Sequence, residues 1–177
     1  MLKALSDKLK ELARNTDDDF RAAVKKQLDG KVTEEQIGTL KEFIFLLPPT
    51  LKILDSYWDD PKTPPDVKKL SGLLIAYIIR RDDIFSDEKL GLFGYLDDSY
   101  IVVTAFMKIQ EMILRDWQDK SSEERELTER ARKLIVAPRI VIPEETTGID
   151  EVMELYIRGH ITSFEDYLTS RKKVSQG

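Results

Sequence analysis

The sequence predicts an all-α protein: a single domain over residues 1–177, built as an orthogonal or irregular bundle of about eight or nine helices. Apolar residues recur at helical spacing along most of the chain. Charged residues make up 34% of the sequence, which suits long helices with solvated outer faces. The 8 Gly and 7 Pro are too few for a linker or a low-complexity sequence. One extended segment is expected, at residues 138–143.

Two amphipathic helices are predicted at the start of the chain. The first covers residues 2–14 and has a narrow apolar stripe of Leu2, Leu5, Leu9 and Leu12. The second runs from about residue 18 to 28 and begins at the acidic run Asp17–Asp19. We interpret this run as a helix start, where negative charge is favoured, and not as a metal site. Gly30 is predicted to end the helix in a left-handed conformation.

Capping and proline signals define the next helices. Thr33 and Gln36 have capping-box spacing, so a helix is predicted to start there. Pro48 and Pro49 are predicted to end it, because proline lacks the backbone N–H and disfavours helix in the residue before it. A short helix is predicted to follow over residues 51–58.

The most buried helix is expected near the middle of the chain. Residues 59–65 contain three Pro, two Asp and no apolar residue, which predicts a loop. Pro65 can occupy the first turn of a helix to about Ile79. A further helix is predicted from about Asp98 to Trp117. Its first half is apolar on nearly every side, which is typical of a buried central helix.

A charged helix is predicted after the central one. Ser121 and Glu124 form a second capping box, and the helical pattern continues to about Val136. Opposite charges lie three or four residues apart along it, and each such pair contributes only a few tenths of a kcal/mol. We therefore interpret this helix as having a solvated outer face and not a binding surface.

The C-terminal part contains the one segment that is not predicted to be helical. Residues 138–143, with the sequence PRIVIP, are expected to be extended, either packed across the helices or paired as a lone strand. Helices are predicted from Thr147 to Gly159 and over about residues 163–172, the second with Thr162 and Glu165 at capping spacing.

The composition excludes several classes of protein. The chain has no Cys, so it has no disulfide, no thiolate chemistry and no cysteine-based zinc framework. The net charge of −5 disfavours nucleic acid as a partner, because such binding needs clustered Lys and Arg. The apolar runs fall well short of the ~20 residues that span a bilayer, and the N-terminal stretch does not resemble a signal peptide. A cytoplasmic protein without a transmembrane segment is expected.

The connection between two apolar helices, within Arg80–Met107, contains the metal-site candidates Asp83, Asp87, Asp97 and Asp98. Such carboxylates can bind a hard divalent cation such as Mg²⁺ or Ca²⁺, and a metal-dependent hydrolase would use that ion. Structural roles explain the same residues, because Asp97 or Asp98 can cap the central helix and Asp83 can pair with a neighbouring Arg. We favour the structural roles, so no cofactor is predicted and a divalent cation is the alternative.

Three elements occur in order within residues 64–109: Ala76-Tyr77 at a helix end, DIFSD at Asp83–Asp87 and GYLDD at Gly94–Asp98. They resemble the YkvA-like domain of unknown function, a bacterial family. Ser86 stands where the family usually has Pro, whereas the GYLDD element is intact. The resemblance covers about a quarter of the chain. It implies a helical core at about residues 64–117 with helical extensions on both sides, and no activity that can be transferred.

No catalytic constellation is recognisable. His160 is the sole His and is predicted to be a turn residue, and no phosphate-binding loop is present. The leading hypothesis is a non-enzymatic interaction or accessory module with a protein partner. One alternative is the metal-binding or hydrolase site described above. The other is peripheral membrane association through the exposed-looking apolar run Leu92–Tyr95 and the basic end Arg171–Lys173.

Several aromatic residues flank the loops near the acidic motif: Tyr57, Trp58, Phe85, Phe93 and Tyr95. We interpret them as lids over the core. The alternative is an aromatic-lined cleft between helices, which is a common form of small-molecule site.

Overall fold

The computed structural model describes residues 2–80, 90–112 and 120–160. Within these ranges the chain is helical apart from short connections, and no strand occurs. The elements are α1 (Leu2–Asn15), α2 (Asp17–Gln27), α3 (Glu34–Ile44), α4 (Leu47–Asp59), α5 (Pro65–Arg80), a 3₁₀ helix (Gly91–Tyr95), α6 (Leu96–Met112), α7 (Ser122–Leu134), α8 (Val136–Val141) and α9 (Pro143–Ile157). The all-α class is confirmed. The helix predicted at about residues 163–172 lies outside the described residues.

The extended segment predicted at residues 138–143 is wrong. Residues Val136–Val141 form helix α8, and Pro143 begins α9 four residues before the predicted start at Thr147. Both prolines fall within the first turn of a helix, where backbone N–H groups have no partner in the helix. A proline there removes no helical hydrogen bond, so two closely spaced prolines mark two helix starts.

Pro48 and Pro49 repeat this pattern. They were expected to end α3, but α3 ends earlier, at Ile44, and both prolines lie in the first turn of α4. Phe45 and Leu46 connect the two helices with backbone angles that remain helical. The boundary therefore comes a few residues before the prolines that signal it.

The capping box predicted at the start of α3 and the glycine predicted after α2 are confirmed. Thr33 and Gln36 form a complete capping box, with Gln36 N–H donating to Thr33 Oγ1 at 3.2 Å and Thr33 N–H donating to Gln36 Oε1 at 2.8 Å. Gly30 has a φ of +80° just after α2, as predicted. Gly159, with a φ of +72°, ends α9 in the same way.

Helix α6 is the centre of the core. Thirteen of its 17 residues are buried, as the nearly all-round apolar sequence predicted. Helices α3, α4, α5, α7 and α9 all pack on it, and the 3₁₀ helix leads into it. The buried apolar residues of the described ranges form one cluster, in which the rings of Phe43 and Tyr100 lie 6.3 Å apart. An all-round buried helix requires cover on every side, and the outer helices supply it.

The acidic run Asp17–Asp19 lies in the first turn of α2, as predicted. Asp17 accepts a hydrogen bond from Arg21 Nε at 2.8 Å and forms a second ion pair with Lys41 on α3. Arg21 also donates to both carboxylate oxygens of Glu34 at 2.5 and 2.6 Å. Hydrogen bonds from Arg21 lower the pKa of Asp17 and that of Glu34. This network joins the first turn of α2 to the first and last turns of α3.

The lowered pKa values predict an acid-sensitive contribution of Arg21 to stability. A carboxyl group with a lower pKa in the folded state stabilises the protein above its unfolded pKa, and this contribution is lost as the pH falls through the folded value. The unperturbed values are 3.8 for Asp17 and 4.5 for Glu34. We therefore expect Arg21→Gln to destabilise the protein at neutral pH and to have less effect near about pH 3.

Urea unfolding of the wild type and of the Arg21→Gln variant at the two pH values measures this difference. The control is Arg14→Gln, which makes the same change at an exposed position in the last turn of α1. An Arg21→Gln effect of equal size at both pH values would show that the carboxylates are not responsible.

Candidate functional site

Asp97 and Asp98 lie in the first turn of α6 and are 0% and 5% exposed. The 3₁₀ helix continues directly into α6, and Leu96 already has helical backbone angles of −70° and −43°. The two aspartates are therefore inside the first turn, one step beyond the predicted capping position. Negative side chains are favoured there by the partial positive charge of the helix N-terminus. This position supports a structural role and also places two carboxylates side by side.

The other two members of the predicted metal site, Asp83 and Asp87, lie outside the described residues. Among residues 2–80, 90–112 and 120–160, no group of three or more His, Asp or Glu side chains is arranged to hold a metal ion. Asp97 and Asp98 alone supply two side chains, whereas Ca²⁺ takes about six to eight oxygen ligands. A cation at this motif stays a prediction that requires Asp83 or Asp87.

The burial of Asp97 predicts a large effect of its removal. We expect Asp97→Ala to lower the free energy of unfolding by roughly 1–3 kcal/mol, because α6 loses a negative charge in its first turn and the removed buried side chain leaves a gap in the core. Asp19→Ala is the matched control, since Asp19 also lies in a first turn but is exposed. Asp19→Ala should lower the free energy of unfolding by less than about 1 kcal/mol. Equal losses in urea unfolding would contradict a specific role for the buried position.

The apolar run Leu92–Tyr95 is buried, contrary to the exposure expected for membrane contact. Leu92 is 0%, Phe93 2% and Tyr95 5% exposed. Gly91 precedes them with a φ of +56°, and a Cβ there would lie 2.8 Å from Thr16 Oγ1. The run packs against the corner between α1 and α2, so it offers no apolar surface to a bilayer. The basic end Arg171–Lys173 lies outside the described residues.

The aromatic residues near the motif separate into two groups. Tyr57, Phe93 and Tyr95 are buried, which confirms their interpretation as part of the core. Phe85 lies outside the described residues. Trp58 is 55% exposed, and a Cβ at Gly72 would lie 2.8 Å from its ring. The Trp58 indole therefore packs against α5 at Gly72, where an added Cβ would force the ring to move.

A buried polar cluster that the sequence did not predict lies between α4, α6 and α7. The hydroxyl of Tyr57 donates to Glu124 Oε1 at 2.5 Å. The side-chain amide of Gln110 donates to Tyr57 Oη at 2.6 Å and to Glu124 Oε1 at 3.1 Å. All three residues are at most 9% exposed. Buried polar side chains need hydrogen-bond partners to compensate for the loss of water. The three side chains of this cluster provide those partners for one another.

This cluster also explains why the predicted capping box at α7 is only half formed. Ser121 Oγ accepts from the Glu124 N–H at 3.1 Å, as expected. The Glu124 carboxylate, which would complete the box by turning back, instead points into the cluster. The sequence signal for a helix start is correct, but the side chain is used in a long-range contact.

The cluster predicts that Tyr57→Phe destabilises the fold by roughly 1–3 kcal/mol, because Glu124 loses a donor while it stays buried. Combining Tyr57→Phe with Glu124→Gln should give less than the sum of the two single effects. Glu123→Gln, at the exposed neighbouring position, is the control and should change stability by less than about 0.5 kcal/mol. Additive effects in urea unfolding would show that the two side chains do not interact.

A second polar contact joins α6 to α8 and α9. Tyr100 Oη donates to Asp150, whose two oxygens are each 3.0 Å away, and accepts from Arg139 Nε at 2.7 Å. Arg139 also donates to Asp150 at 3.1 Å. Burial raises the pKa of Tyr100 to about 12, so its phenol stays protonated at neutral pH. A general base needs a pKa near the working pH, so this arrangement acts as a structural connection between helices.

An apolar groove lies between α3 and the α7–α8 corner, with a volume of about 220 Å³. We call it the α3–α8 groove. Leu40 and Val141 are buried beside it, and Val136 and Ile140 line it while remaining 54% and 53% exposed. Among the described residues, four large apolar side chains are exposed, and two of them, Val136 and Ile140, line this groove. Glu35 lines the groove from α3 and Lys133 lines it from α7.

The rest of the described surface gives few chemical signals. His160 is exposed just after α9, and its backbone N–H donates to the Leu155 carbonyl at 2.9 Å, as expected of a turn residue. No helix within the described ranges is long and apolar enough to cross a membrane.

Comparisons of the sequence and structure with protein-family models, with curated proteins and with solved structures found no match. The resemblance to the YkvA-like domain therefore stays a prediction from the residues of the motif.

Proposed function

We propose that the protein is a non-enzymatic interaction module that binds an amphipathic helix of a partner protein in the α3–α8 groove. The observation that carries this proposal is the pair Val136 and Ile140. These side chains are spaced four residues apart on α8, so they lie on the same face. Both are more than half exposed beside a concave apolar surface.

The groove is suited to this kind of partner in its size and its composition. Helix-in-groove binding uses a few apolar anchors spaced by one helical turn, and a groove of about 220 Å³ has room for one or two such side chains. Covering the exposed half of Val136 and of Ile140 would contribute about 1 kcal/mol each. Most of the binding free energy would therefore have to come from burial of the partner's own apolar side chains.

The charged residues on the two sides of the groove favour opposite charges on the two sides of the partner helix. Glu35 on α3 favours a basic residue of the partner, and Lys133 on α7 favours an acidic one. Charge pairs at the rim of an interface orient the partner and contribute little to affinity. A partner helix with an apolar stripe between one basic and one acidic side fits this arrangement.

Site-specific photo-crosslinking tests the proposal. A benzophenone amino acid placed at Ile140 should give a discrete crosslinked product in cells, and mass spectrometry should locate the crosslink in an amphipathic helix of another protein. The same amino acid at Leu155, which is also exposed and apolar but lies on α9, is the matched control and should not give this product.

A charge substitution gives a second, independent measurement. Ile140→Glu should remove the partner from the purified complex, whereas Leu155→Glu should leave it bound, because a buried unpaired carboxylate is costly only inside the contact. Equal crosslinking from both positions would contradict the proposal. A crosslinked product of twice the mass of this chain would show that a second copy of the chain, and not another protein, occupies the groove.

A further inference from the structure

A cavity of about 340 Å³ lies where three helices come together, at the start of α5, the end of α6 and the end of α9. Its apolar wall consists of Leu70, Met112 and Ile157. The volume falls within the range of small-molecule sites, and a cavity with an apolar wall and a few polar groups is their usual form. It shares no residue with the α3–α8 groove.

The cavity has charged side chains of both signs. Asp66 and Lys69 line it from the first turns of α5, and Arg158 lines it from the end of α9. Among the described residues, neither the Asp66 side chain nor the Lys69 side chain has a hydrogen-bond or ion-pair partner. Arg158 has one long contact, 3.6 Å from Glu154, and its side chain is 69% exposed. These charges are therefore available to a bound molecule.

Tyr156 also lines the cavity. Burial and, to a smaller extent, the charge of Asp66 raise the pKa of the Tyr156 phenol, so it stays neutral and can donate a hydrogen bond.

We propose that this cavity binds a small zwitterion with an apolar body, of the chemical class of an apolar α-amino acid. The ligand carboxylate pairs with Lys69 and Arg158, and the ligand ammonium pairs with Asp66. The ligand side chain covers the apolar wall. A ligand with one charge would lack the ion pair with either Asp66 or Lys69, so it should bind more weakly than the zwitterion.

Calorimetric titration of the full chain with three related molecules tests the proposal. L-leucine carries both charges, 3-methylbutylamine is the same molecule without the carboxylate, and 4-methylpentanoate is the same molecule without the ammonium. We expect saturable binding of leucine and at least about tenfold weaker binding of each analogue, since each loses one charged contact.

Substitutions assign the two charges to their residues. Lys69→Gln should weaken leucine binding about tenfold and reduce the preference for leucine over the amine, with the remaining preference due to Arg158. Asp66→Asn should abolish the preference for leucine over the acid. Lys68→Gln makes the same change at the neighbouring position, which does not line the cavity, and should leave the affinity unchanged. Circular dichroism and thermal melts establish that each variant is folded.

Three results would overturn the proposal. The first is no saturable heat with leucine, methionine or phenylalanine at millimolar concentration. The second is binding of 4-methylpentanoate or of the amine as tightly as leucine, which would indicate a ligand with one charge. The third is an equal effect of Lys68→Gln and Lys69→Gln. None of these results bears on the α3–α8 groove, because the groove and the cavity have no residue in common.

Discussion

The burial of α6 on all sides is the constraint on which the rest of the structure depends. A helix with no solvated face must be surrounded, and thirteen of the 17 residues of α6 are buried. Each covering helix needs an apolar face only toward α6, so it can keep charged residues on its outer side. This explains how a chain with 34% charged residues and 41% hydrophobic residues supports a continuous core.

The polar residues of α6 then fix how the covering helices are placed. Ser99 donates to the Tyr95 carbonyl at 2.6 Å within its own chain segment. Tyr100 and Gln110 reach other helices, the first through Arg139 and Asp150 and the second through Tyr57 and Glu124. Hydrophobic burial is not directional, whereas these hydrogen bonds are satisfied in one arrangement only. They therefore select one packing of the helices from the many that bury similar apolar area.

The sequence predicted features that depend on neighbouring residues and missed those that depend on distant ones. The capping box of Thr33 and Gln36 is complete within four consecutive residues, so its local pattern is sufficient to predict it. Glu124 has the same local pattern, yet its side chain contacts Tyr57, which is 67 positions away. Sequence patterns based on local spacing do not predict a contact between residues so far apart in the chain.

The errors at proline residues have a related cause. Pro48, Pro49, Pro138 and Pro143 predict an interruption correctly, but a proline signal does not state whether a helix ends before it or begins at it. The choice depended on burial. Pro48 and Pro138 are both buried, so each belongs to an element that packs on the core. An extended segment at residues 138–143 would have left backbone groups to be satisfied elsewhere, whereas a helix satisfies most of them within itself.

The shortness of α8 bears on the meaning of its exposed side chains. A helix of six residues is not stable alone, so its conformation must come from tertiary contacts. Val141 is buried on one side of it, and Arg139 is held by Tyr100 and by Asp150 on α9. Ile140 lies between these two anchored positions. Its exposure is therefore that of a side chain on a fixed backbone and not that of a frayed end. A fixed apolar side chain beside a groove loses little conformational entropy when it is covered, which favours binding at this position.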